Sequence, residues 1–203
     1  MSQDQALDKI FEAAIFAARK HQGQVRKDNR RSPYITHPLQ VAQILWDLGG
    51  VRNPQTLIAA ILHDTIEDTG TTRMEIRETF GEEVLLIILE VTDDKSLEKM
   101  TRKRMQVVHA PELSEPARLI KLGDKLVNCR DILQNPPSDW PLERRRNYIQ
   151  WGADVIEKIR GTNQALENAF DQMLTEAQEQ LDFIIQPFKT VDERPWGPSA
   201  SQE

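Results

Sequence analysis

LIAAILHDTIEDT, residues 57–69, decides how the chain is read. Asn53-Pro54 just ahead of it pairs an N-cap residue with a proline, which suits the first turn of a helix. Six apolar residues follow and then His63, Asp64, Glu67 and Asp68 in quick succession. Residues four apart share a helix face, so His63 should lie over Glu67 and Asp64 over Asp68. That arrangement puts four ionisable groups on two turns beside a segment apolar enough to be buried. Charge near a core is costly unless a cation or partners compensate it. The plainer alternative is a helix that leaves the core at His63 and exposes its last turn.

Outward from this helix, three- and four-residue apolar spacing recurs along the chain. Residues 5–22 form an amphipathic pattern with Leu7, Ile10, Phe11, Ala14, Ala17 and Ala18 on one face. A loop rich in Gly, Pro, Asn and Ser leads to a helix near Pro38 that buries Val41, Ile44, Leu45 and Leu48 and stops at Gly49-Gly50. Thr71 or Thr72 caps a further helix, with Met74, Ile76 and Phe80 as its apolar positions. GEEVLLIILEVTDD (81–94) reads as a buried helix, with a strand as the competing reading because of its β-branched run. KSLEKMTRKRMQVV, ARLIKLGDKLVNCRDIL, PLERRRNYIQWGADVIEKIRG and NQALENAFDQMLTEAQEQLDFII complete the helical set. No alternating strand pattern, hairpin dipeptide or internal repeat is present. The expected architecture is an all-α, single-domain bundle of about eight to ten helices over residues 1–185, with 186–203 as a polar tail.

The chain has 203 residues, a formal net charge of −6 and one cysteine, Cys129. That charge disfavours nucleic-acid binding, which needs a clustered basic surface. One cysteine excludes an intrachain disulfide. No stretch approaches the roughly 20 apolar residues of a membrane span, and the N-terminus lacks a secretory pattern. A cytoplasmic location is the default expectation. Basic clusters stand at Arg26-Lys27, at Arg102-Lys103-Arg104 and at Arg144-Arg145-Arg146; each is either a site for a small phosphorylated ligand or a solvated face, the last more simply the second.

Three further features carry possible chemistry. His37 lies at a helix start in YITHP (34–38). Asp124 and Asn128 are stacked one turn apart on a helix whose Leu119, Ile120, Leu122, Leu126 and Val127 are apolar. Either polar residue could equally serve a cap or an interhelical hydrogen bond. Arg26 and Lys27 could bind a phosphate or stack on a base. Taken together, His37, His63, Asp64 and Asp124 form a mixed nitrogen and oxygen set suited to Mn²⁺, Fe²⁺, Mg²⁺ or Zn²⁺. The absence of thiolates argues against a structural zinc. Glu67 and Asp68 stand one turn away, where a general base is wanted.

HQGQVRKD, PYITHPLQVA, LIAAILHDTIEDT, FGEEV, VTDDKSLEKMTRKR, ARLIKLGDKLVN and RGTNQALE occur here in one order. The set resembles the HD-type hydrolase domain of the RelA/SpoT alarmone enzymes, especially the stand-alone small alarmone hydrolases of the Mesh1 type. The resemblance spans about residues 5–185. It implies an all-α HD domain and Mn²⁺-dependent hydrolysis of the 3′-pyrophosphate of ppGpp and pppGpp, giving GDP or GTP and pyrophosphate. It further implies His37, His63, Asp64 and Asp124 as metal ligands and Glu67 and Asp68 as water-activating acids. Arg26, Lys27, Asn128, Tyr148, Lys99 and Arg104 are implied at the substrate. The long relatives carry synthetase and regulatory domains beyond this length, so hydrolysis without synthesis is expected. Rival expectations keep the metal site but change the substrate to NADPH or ppApp, or make the chain a non-catalytic alarmone-binding module. One departure stands in KDNRRSPY (27–34), which lacks the glycine common there in the family.

Overall fold

The computed structural model describes residues 3–187. α1 (Gln3–Lys20) leads through a closed loop to α2 (Thr36–Asp47), α3 (Pro54–Leu62) and the single turn α4 (Thr65–Asp68). α5 (Arg73–Phe80), α6 (Glu82–Val91) and α7 (Lys99–His109) follow. A 3₁₀ turn (Ala110–Glu112) joins these to the long α8 (Glu115–Gln134), and α9 (Leu142–Glu157) and α10 (Gln164–Leu181) close the bundle. Among the described residues the β-structure amounts to an isolated bridge, Val25 to Pro33. The expected all-α bundle is what forms. The expected tail lies, from residue 188 on, outside the described residues.

Local chemistry sets the helix ends. The Asn53 side chain accepts from the Thr56 N–H, as an N-cap before Pro54 should. Thr72, rather than Thr71, caps α5, and with Glu75 it forms a reciprocal capping box. Within residues 81–94, Glu82–Val91 form helix α6, with Val84, Leu85, Ile87, Ile88 and Val91 buried. A ten-residue helix buried on most of its surface shows the same continuous apolar run as a core strand, which is why pattern alone left both readings open.

α3 occupies the centre, packed on α1, α2, α6 and α8. Every residue from Thr56 to Leu62 is buried. Expectations for three helices are corrected here. On α1, Ala13 and Ala17 face the core while Leu7 and Phe11 are 47% and 65% exposed. The small side chains let α1 lie close on α3, and that contact outweighs the larger apolar residues on the other flank. Similarly, Met74 and Leu48 are exposed, and Ile76 and Leu45 take the buried positions.

Two glycines bring α8 against its neighbours. A Cβ on Gly123 would meet Val41 Cγ1 at 3.1 Å, so the side chains of α2 pack directly on the α8 backbone one residue before Asp124. On Gly152 a Cβ would meet the Cys129 Sγ at 2.7 Å, which fixes α9 against α8. Gly152→Ala should therefore cost about 1–3 kcal/mol through overpacking. Adding Cys129→Ala vacates the sulfur's space and should restore part of the loss. Denaturant unfolding of both variants checks this; a Gly152→Ala protein as stable as wild type would contradict the close contact.

Candidate active site

The loop between α1 and α2 folds on itself. The Arg26 N–H donates to Ser32 O at 2.8 Å, and the Tyr34 N–H to Gln24 O at 3.0 Å. Asp28 accepts from the Ser32 N–H at 2.9 Å. Arg31 takes a left-handed φ of 53° within it; a side chain there costs about 1 kcal/mol. This loop delivers Arg26, Lys27 and Tyr34 to one side of α3 and α8 and sets His37 on the first turn of α2.

At the end of α3 the expected continuous helix breaks. His63 Nδ1 donates to Ala60 O at 2.7 Å, and the Thr65 hydroxyl donates to Leu62 O at 2.6 Å. Side-chain donors thus take carbonyls that would have served the next turn. His63 and Asp64 form the joint, and the chain resumes as α4, where the Asp68 N–H donates to Asp64 O at 2.8 Å. Asp64 does lie over Asp68, as the spacing predicts: the Tyr34 hydroxyl donates to Asp64 Oδ2 at 2.5 Å and reaches Asp68 Oδ2 at 3.3 Å.

The four expected ligands converge. His37 Nε2 lies 3.2 Å from Asp124 Oδ1 and 3.6 Å from Asp64 Oδ2. His63 Nε2 lies 3.2 Å from Asp64 Oδ2 and 3.9 Å from Asp124 Oδ1. Ligand-type atoms of His37, His63 and Asp124 all fall within 4.8 Å of one another. A carbonyl oxygen accepts only, so the Ala60 bond puts a hydrogen on His63 Nδ1 and turns the Nε2 atom toward two carboxylates. That Nε2 is buried without a hydrogen-bond partner. A bare lone pair facing two acidic oxygens is repulsive, so the arrangement demands a cation, either a proton or a metal ion. The donor set fits a borderline or hard divalent ion.

The charges bear this out. Burial opposes protonation of His63, yet the Asp64 and Asp124 carboxylates beside it raise its pKa to about 9. Burial works against ionised Asp124 as well, and the Lys125 ammonium with His37 and His63 still holds its carboxyl well below the usual range. Asp64 is likewise held low against its burial, mainly by His63 and then His37. Burial dominates at His37 and lowers it.

A second ring of contacts orients these groups. Asn128 Nδ2 donates to Asp124 Oδ1 at 2.6 Å, and Lys125 Nζ donates to Asp124 Oδ2 at 3.0 Å. Arg26 Nη2 donates to Asn128 Oδ1 at 3.1 Å and pairs with Asp131 at 2.6 Å. Glu67 Oε2 accepts from the Asp93 N–H at 2.9 Å. Asp68 pairs with Lys95.

Beside the cluster opens a cavity of about 410 Å³, within the range of small-molecule sites. Tyr34, Asp68 and Asn128 join its lining to the cluster; Arg26, Lys27, Lys99, Lys103 and Arg144 bring positive charge; Trp140 and Tyr148 bring aromatic faces. Sequence reasoning placed Arg26, Lys27, Lys99, Asn128 and Tyr148 here. Arg104, expected among them, is exposed on α7 and does not line the cavity; its neighbour Lys103 does. Lys103 lies over the rings of Tyr148 and Trp151, at 5.2 and 4.7 Å, and Arg144 over Trp140 at 4.2 Å. Tyr34, Trp140 and Arg144 were not singled out from sequence. Tyr34 had one available signal, its position three residues before His37. Arg144 sat in a cluster that reads as solvated surface.

The HD domain model matches residues 13–147. The guanosine-3′,5′-bis(diphosphate) 3′-pyrophosphohydrolase MESH1 of Xenopus tropicalis is 52% identical over 173 residues, covering 85% of this chain and 96% of that protein. The chain belongs to the MESH1 branch of the HD-domain family. The Homo sapiens MESH1 protein is 47% identical over 165 residues, covering 81% of this chain and 92% of its own. Among solved structures, one described as a metazoan ortholog of SpoT that hydrolyses ppGpp superposes with a TM-score of 0.81. It shares 42% identity and covers 85% of this chain and 96% of its own. Among the described residues of this MESH1-type chain, no helix is long and apolar enough to cross a membrane.

Tyr34→Phe removes the hydroxyl that bridges Asp64 and Asp68 while keeping the ring stacked on His21, 4.8 Å away. Loss of such a supporting bond should weaken divalent-metal affinity about ten-fold or more. Calorimetric titration with Mn²⁺ measures it, and an unchanged affinity would show that the hydroxyl does not tune the cluster.

Proposed function

We propose that this chain is a metal-dependent phosphohydrolase that removes the 3′-diphosphate of ppGpp and pppGpp, giving GDP or GTP and pyrophosphate, with Mn²⁺ as its ion. The observation that supports this reading is that the His37, His63, Asp64 and Asp124 cluster is hydrogen-bonded, through Tyr34 and Asn128, to the wall of a cavity lined by cations and aromatic rings. A polyphosphorylated nucleoside matches both walls. The relatives' names state 3′-pyrophosphohydrolysis of guanosine-3′,5′-bis(diphosphate) for those proteins.

His37, His63, Asp64 and Asp124 would hold the ion. Bound there, a divalent ion supplies Lewis-acid polarisation of a phosphoryl oxygen and a lowered pKa for a neighbouring water. Glu67 and Asp68 take the proton of the attacking water. Burial pushes the Glu67 carboxyl up against the Asp93 N–H bond, and the Asp93, Asp64 and Asp68 carboxylates add to the rise. A raised carboxylate is a stronger base near neutral pH. Lys99 is pushed down by burial and by the nearby cations Arg144, Lys27 and Arg102. Like charges so crowded are relieved by an anion, and the substrate's diphosphates supply it. Trp140 and Tyr148 offer their faces to the purine.

Purified protein with Mn²⁺ should release pyrophosphate from ppGpp, and a chelator should stop it. Assays with pppGpp, ppApp and NADPH alongside decide the substrate: faster turnover of NADPH or ppApp would displace the alarmone. Tight ppGpp binding without pyrophosphate release, at full metal occupancy, would make the chain a binding module instead. His63→Ala should lose metal binding and turnover together. Glu67→Gln should keep the metal and lose about 10²-fold in turnover.

Burial, with Lys99 and Lys125 nearby, lowers the pKa of Lys103 to about 8. The ammonium is charged below that pH and neutral above it, so KM should climb about ten-fold as pH rises through about 8. Lys103→Arg keeps its charge and should remove this limb. A KM that is flat across that range in wild type would place Lys103 away from the substrate.

A further inference from the structure

A second cavity, of about 300 Å³, lies at the C-terminal end of α6, with Val91, Asp93, Arg102, Gln106 and Lys121 in its walls. Lys121 is 8% exposed. It projects from α8, one turn before Asp124, and its Nζ donates to Val91 O at 3.0 Å. Among the described residues no carboxylate pairs with it. Asp124, Asp93 and Glu67 are near enough to favour its charged form without pairing with it, and a buried lysine so placed is costly and needs a reason.

Its acceptor supplies one. Val91 is the last residue of α6, so its carbonyl has no acceptor role left inside the helix and stands at the negative end of the dipole. Two residues later the Asp93 N–H donates to Glu67 Oε2 at 2.9 Å. The Asp93 carboxylate in turn accepts from Gln106 Nε2 of α7, at 2.9 and 2.8 Å. The segment 91–93 is therefore pinned at one end by Lys121 and at the other by Gln106, and between them it presents one N–H to Glu67. The cavity behind gives that segment room to shift if either pin is drawn. Burial pushes Lys121 toward the neutral amine, and both forms donate to a carbonyl.

We propose that Lys121 is a positioning residue for Glu67, holding the end of α6 so that the Asp93 N–H fixes the carboxylate in its working orientation. The inference rests on Glu67 acting as proton acceptor, as proposed above. A displacement of this kind acts on the reacting geometry rather than on substrate capture, so it should appear in kcat and not in KM.

The test measures kcat, KM and Mn²⁺ affinity for Lys121→Met, Lys121→Arg, Glu67→Gln and the Lys121→Met/Glu67→Gln double variant. Lys121→Met should lower kcat about ten-fold or more with KM and metal affinity unchanged. Lys121→Arg keeps a donor, has the cavity to accommodate it, and should recover most of the rate. In the double variant the second change should add less than about two-fold, since both act through one carboxylate. Gln106→Leu draws the opposite pin and should repeat the kcat loss, which keeps the test open if Lys121→Met folds poorly. A Lys121→Met protein with normal kcat, or an equal loss on top of Glu67→Gln, overturns the proposal. Lowered metal affinity in Lys121→Met also overturns it, since Lys121 would then act through Asp124. Normal turnover in Glu67→Gln alone overturns the underlying role of Glu67 and is read separately.

Discussion

Two imidazoles and two carboxylates crowd together in the packed interior, each ring nitrogen within 4 Å of both acids, and one of those nitrogens lacks a hydrogen to donate unless it is charged. Such a cluster is repulsive and poorly solvated on its own. Something positive has to complete it, and much of the surrounding architecture is intelligible as the means of holding the four groups still until it does. α2 contributes His37, the break after α3 contributes His63 and Asp64, and α8 contributes Asp124. Gly123 lets α2 and α8 touch one residue from Asp124, and the Ala60 carbonyl fixes which nitrogen of His63 is free.

Around that centre the molecule is divided by charge. On the inner side, Tyr34, Lys125 and Asn128 each spend a hydrogen bond on Asp64 or Asp124. Second-ring contacts of this kind set the direction and basicity of ligands. On the outer side, Lys27, Lys99, Lys103 and Arg144 give a net-acidic protein a locally cationic wall. Arg26 joins the two sides: it lines the cavity, yet it is tied to Asp131 and Asn128, so its guanidinium also reaches Asp124 through one intermediate side chain.

The helices were legible because burial imposes a period on sequence, and capping residues such as Asn53 and Thr72 mark their starts. His63, Asp64 and Asp124 stood out as candidate ligands because ionisable residues on apolar segments need compensation, whereas His37, at the end of a loop, carries no such signal by itself. Other features were hidden for specific reasons. The face of α1 was misjudged because close approach favours Ala13 and Ala17 over the bulkier Leu7 and Phe11, a preference set by the partner helix. The joint at His63 and Asp64 depends on side-chain bonds to Ala60 and Leu62 that propensity does not encode. Lys103 and Arg104 are adjacent, and which of them enters the cavity is decided by how α7 is rotated against α9. Tyr34, Trp140 and Arg144 come from a loop, a Pro-rich turn and a basic run, where spacing says little about tertiary neighbours.

One ion held by four side chains is the centre on which the proposed chemistry depends. Crystals of the protein soaked in Mn²⁺ and measured for anomalous scattering test this directly. A single strong peak is expected in contact with His37, His63, Asp64 and Asp124. A Mn²⁺-saturated crystal with no peak there, or with its strongest protein-bound peak elsewhere, would contradict it.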